Sequence, residues 1–149
     1  MRKSLVAGAI FLLSGYIASA QDKPSGGVMI QGTPEQVKKA AVAMFARDGY
    51  SIASTSGPQV KISKPFSEEE TAAYNTAHWT NEPMTNCQHV HTLVLSPSGE
   101  VVFVKVASEM TCHSDGKWYF RAGDEKESER MQSALDTLKA RTEDGIRRR

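Results

Sequence analysis

The sequence carries none of the short motifs that mark the commonest enzymes and ion sites. It has no G-x-S-x-G, no H-E-x-x-H, no phosphate-cradling glycine loop, no EF-hand loop and no C-x-x-C. Charge of one sign is lacking too. Eighteen Lys and Arg against 17 Asp and Glu give a formal net charge of +1, which argues against nucleic acid as a partner. After the N-terminal segment, no apolar run is long enough to span a bilayer. No internal repeat or low-complexity tract is present.

What is there begins with an export pattern. Arg2 and Lys3 precede an apolar stretch from Leu5 to Ile17, and Ala18-Ser19-Ala20 supplies small residues for cleavage. The apolar stretch is short and interrupted by Gly8, Ser14 and Gly15. Residues 1–20 therefore read as a secretory signal peptide. "LSGY" (Leu13–Tyr16) resembles a bacterial lipoprotein signal with Tyr16 in place of the lipidated cysteine, so no lipid anchor is expected. The expected location is periplasmic or secreted, with no membrane span once the signal is removed. Residues 21–27, polar and rich in Pro and Gly, read as a flexible N-terminus. Residues 28–144 then form one domain, and 145–149 a basic tail.

Along that domain, Val28–Gly32 reads as a strand. Thr33, Pro34 and Gln36 form a capping box at the start of a helix whose apolar stripe is Val37, Ala40, Ala41, Met44 and Phe45. Gly49 ends it. "YSIAST" and "QVKISKPF" flank a Ser-Gly-Pro turn and read as two strands. Ser67 and Glu70 make a second capping box, opening a short helix. Two long apolar runs around "SPSGE" read as a hairpin. "KWYF" is a further strand, and Asp124 caps a last helix with Met131, Leu135 and Leu138 on one face. The fold expected is α+β: a single domain with an antiparallel sheet covered on one face by two longer helices and a short one. This element order resembles that of helix-grip domains such as the BamC-type envelope lipoproteins. The resemblance rests on element order, and it carries no functional residues across.

The chemistry-bearing residues crowd into one region. Cys87, His89 and His91 alternate along one strand of the hairpin, and Cys112 with His113 lies at the end of the other. With Ser98 and Gly99 as a two-residue loop, Leu95 faces Val102, His91 faces Val106, His89 faces Ser108 and Cys87 faces Met110. A four-residue loop over Ser96–Gly99 shifts the pairing by two. In both registers Cys87 and Cys112 lie on the same, apolar face, where a small bulge brings them within disulfide reach. Two cysteines in a small exported domain pair, so a disulfide is expected.

Metal binding is the rival, with His89, His91 and His78 as ligands. A hydrolase using His89 or His78 with Glu82 is the other alternative. Same-face positions on one strand stand nearly 7 Å apart, which works against convergence of several ligands. His91, among valines and leucines, reads as a neutral core histidine. The glutamates Glu68–Glu70 read as helix-start charges rather than a cation site. Trp79 and Tyr74, with Trp118 and Tyr119, are the candidate contact residues, since such rings bury area while keeping a polar handle. No cofactor is implied. The function expected is a small exported binding or interaction domain without catalytic activity, its partner another envelope or extracellular protein.

Overall fold

Local chemistry starts each helix. In the computed structural model, which describes residues 26–77 and 83–148, Thr33 caps α1 (Pro34–Arg47). Its hydroxyl accepts from the Gln36 N–H, and the Gln36 side chain accepts from the Thr33 N–H. The chain leaves α1 through Gly49 at φ +84°, a region in which a Cβ is strained. Ser67 and Glu70 make the same reciprocal pair at α2 (Glu68–Ala77). Asp124 caps α3 (Glu125–Arg147) by accepting from the Glu127 N–H. That helix continues through Gly145 and Ile146 and so takes in part of the closing basic stretch.

Six strands form one antiparallel sheet among the described residues: β1 (Gly27–Gln31), β2 (Ser51–Ser54), β3 (Gln59–Pro65), β4 (Thr85–Ser98), β5 (Val101–Ser114) and β6 (Lys117–Ala122). The order is β1-β5-β4-β3-β2. Strand β5 is long enough to carry two partners on one edge. Its first half pairs with β1 and its second half with β6. Between them Gly123 crosses close to β5, its N–H donating to the Ser108 carbonyl at 2.9 Å. A Cβ on Gly123 would stand 2.9 Å from that of Ser108, so this crossing needs glycine.

The apolar residues of the helices meet those of one sheet face. Val37, Ala41, Met44 and Phe45 of α1, with Met131, Leu135 and Leu138 of α3, pack on Ile30, Ile62, Leu93, Leu95 and Val104. α3 is also tied to β1: Lys139 Nζ donates to the Met29 carbonyl, and the Gln31 N–H donates to Glu143. A smaller cluster lies further along the same face. There Phe66, Tyr74 of α2 and Met110 surround Met84, Cys87 and Cys112. The expected α+β architecture is present, and no helix among the described residues is long and apolar enough to cross a membrane.

Cys87 and Cys112 are joined, closing a separation of 25 residues. The hairpin that joins them differs in register from both expected pairings. The turn is Gly99–Glu100, with Gly99 at φ +64°, so "SPS" belongs to β4 rather than to the loop. Leu95 faces Val104, His91 faces Ser108 and His89 faces Met110. A two-residue slip preserves side-chain parity, which is why both cysteines still share the core face. They occupy opposed rather than diagonal positions. A bulge lies beside them at Asn86, φ +49°, a conformation that Asn tolerates better than most residues.

Candidate functional site

Two regions of the molecule concentrate chemistry, one under the helices and one on the opposite face of the sheet. The covered region begins with strand alternation, which points His89 and His91 toward the helices. Their rings are parallel, with centroids 6.3 Å apart. His91 is fully buried and His89 is partly buried. From α3, Glu127 reaches between them: its Oε1 lies 3.0 Å from His91 Nε2 and its Oε2 lies 3.8 Å from His89 Nδ1. Glu70 of α2 lies 3.4 Å from His89 Nε2. Arg130 approaches both carboxylates, at 3.2 Å from Glu127 and 4.0 Å from Glu70. His91 Nδ1 and Ser108 Oγ are 2.9 Å apart.

Charge and burial compete within this cluster. Burial pushes the Glu127 carboxyl up, but the His91 ring, the His89 ring and Arg130 more than offset it, and the net is below the ordinary range. Glu70 follows the same pattern. Burial raises it, the Ser67 N–H and the His89 ring lower it, and the net is downward. Tyr50, edge-on to His91, is raised by burial and then by the Glu127 carboxylate. His91 Nε2 and Glu127 Oε1 stand at hydrogen-bonding distance, yet neither finds a well-aligned partner. We regard this contact as electrostatic, since the bond needs alignment as well as distance.

Ser108, His91 and Glu127 have the connectivity of a nucleophile, base and carboxylate. Catalysis needs more than connectivity, because a substrate must reach the hydroxyl. His91 is fully buried, whereas Ser108 is partly buried and lines one of the two clefts described below. Among the described residues, no three His, Cys, Asp or Glu side chains converge as metal ligands, and both sulfurs are spent in the disulfide.

The second region is the sheet face that none of the described helices covers. Trp118 and Phe120 alternate along β6 and present their rings there, 53% and 71% exposed. Trp118 is braced edge-on by His113 at 5.2 Å. Two shallow clefts, each about 340 Å³, adjoin and share Phe120 and Glu109. One is lined by Thr92, Ala107, Ser108 and Arg121. The other is lined by Ser63, Gln88, Val90, Thr111 and Trp118, with Lys61 Nζ 3.9 Å from Glu109 at its side. Thr111 is 5% exposed, and its hydroxyl is buried without a hydrogen-bond partner.

The structure treats the sequence candidates unequally. His89 and His91 are brought together, with Glu127, Glu70 and Arg130 as partners that were not foreseen. His91 accordingly faces Ser108 and a carboxylate, rather than only valines and leucines. Glu127 was findable: it sits four residues before Met131 on the buried stripe of α3, where a carboxylate is out of place. Tyr74 packs into the disulfide cluster. Tyr119 is half-exposed but pairs opposite Cys112, and so lies on the other side of β6 from Trp118. Phe120, more exposed than either, completes the aromatic pair. His78, Trp79 and Glu82 lie outside the described residues. The chain matches no protein-family model and no curated protein.

Proposed function

We propose that the chain is a non-catalytic binding domain working outside the cytoplasm, with the open face of the sheet as its recognition surface. One observation carries this reading: the helices cover a single face, and the other presents Trp118 and Phe120 astride two clefts. Exposed aromatic rings braced on a rigid sheet are the usual anchors of a binding surface. The disulfide suits an oxidising compartment, and the N-terminal export pattern supports the envelope or the medium as the place of action. Of the residues behind the two histidine alternatives, His89 and His91 turn toward Glu127 beneath the helices, while His78 and Glu82 lie outside the described residues.

The test is retention of envelope or extracellular material on the immobilised, oxidised protein. Binding should be lost in Trp118→Ser/Phe120→Ser and kept in a helix-surface variant such as Lys126→Ala. Equal retention by all three proteins would sink the proposal.

A further inference from the structure

Building on that reading, we infer that the open face binds a carbohydrate chain, neutral or N-acetylated, laid across the two clefts. A sugar ring has an apolar C–H face and a polar rim. It therefore needs a flat apolar platform with donors and acceptors around it. Trp118 and Phe120 supply the platform. Ser63, Gln88 and Glu109 supply the surrounding polar groups, and they belong to three different strands of the same face. Binding sites in general combine apolar walls with a few convergent polar groups.

Thr111 is the independent sign that something polar belongs here. Its hydroxyl is buried at the cleft and bonds to nothing within the protein. Such groups are rare in folded proteins because an unmade bond costs free energy. The oxygen itself has almost no exposed surface, so a ligand hydroxyl, which can donate or accept, satisfies it only if neighbouring side chains shift on binding.

Competing occupants fit less well. An apolar protein surface docked on Trp118 and Phe120 would desolvate Lys61, Glu109, Gln88 and Ser63 without giving them partners. Nucleic acid could stack on the same rings, but it needs cations along its phosphates. Here the lining residues supply two cations, Lys61, which stands against Glu109, and Arg121, too few to follow a phosphate backbone. The clefts adjoin through Phe120, so the ligand spans more than one sugar unit.

The experiment is an NMR titration of the oxidised protein with neutral and N-acetylated oligosaccharides. Fast-exchange shifts are expected at the Trp118 indole N–H and the Thr111 amide. Trp118→Ala should weaken binding by about tenfold or more, the loss typical of an aromatic anchor. Thr111→Val, which keeps shape and removes the hydroxyl, separates the roles. A purely structural hydroxyl predicts unchanged affinity, whereas a ligand partner predicts weaker binding with stability kept or raised. If no sugar binds while a protease-sensitive partner is retained through Trp118 and Phe120, the carbohydrate is overturned and the binding face stands. If nothing is retained through that face, both fall.

Discussion

Glu127 is 5% exposed and shares the buried stripe of α3 with Met131, Leu135 and Leu138. Its carboxylate joins α3 to β4 through the two histidine rings, and Arg130 holds its outer oxygen. Glu127→Ala removes the carboxylate that faces His91 Nε2 and His89 Nδ1 in the core. The expected loss is about 1–3 kcal/mol in urea unfolding. Acid should act through the same carboxyl. Its folded pKa lies below the ordinary value, as does that of Glu70, so the unfolded chain binds more protons in that range. The contribution is therefore complete above about pH 4.3 and is lost as pH falls through the lowered folded value. Glu127→Gln should flatten that acid limb, read as urea midpoints across the carboxylate range. The two histidines were legible in the sequence as a pair on one face. Glu127 was legible as a carboxylate on the buried stripe of α3, but its meeting with these rings, and that of Glu70, was not, because contacts between β4 and helices before and after it in the chain leave no local signature.

At the level of elements, the hairpin β4–β5 and its disulfide dominate. Closing a 25-residue separation restricts the unfolded chain, worth about 3.5 kcal/mol by the chain-entropy relation. Cys87→Ala/Cys112→Ala should lose at least that much, measured as unfolding free energy. α2 is the opposite case. No residue of it is fully buried, and it is held by its capping box, the Asn75–Met84 hydrogen bonds, the Glu70–His89 contact and Tyr74. Its amides should exchange with solvent well before those of α1 and α3, as hydrogen-exchange mass spectrometry would show. Helix starts were readable because caps are local: Thr33, Ser67 and Asp124 act within three residues. The hairpin register was not. Ser98-Gly99 and Gly99-Glu100 are both acceptable turns, and pairing along fourteen residues chose between them. The Asp115-Gly116 turn into β6 uses two residues at positive φ, a signal the sequence does contain.

For the whole molecule, the asymmetry of the sheet decides what substitutions do. Leu135→Ala, under the helices, should cost about 2–5 kcal/mol. Trp118→Ser/Phe120→Ser, on the open face, should stay within about 1 kcal/mol of the parent while abolishing binding. Thermal and urea unfolding of the two proteins side by side would check the contrast. A stability loss in the aromatic pair comparable to that of Leu135→Ala would mean that these rings are structural.

By itself the sequence determined the class of elements, the helix starts, the side of the sheet that carries the cysteines, and their pairing. Each follows from a period of two or 3.6 residues, or from a bond made within one turn. Tertiary structure alone decided three matters. It brought Glu127 and Glu70 to the histidines, chose the strand register, and left Trp118 and Phe120 uncovered. All three depend on segments far apart in the chain, whose meeting is set by how α1 and α3 both pack on one face of the sheet.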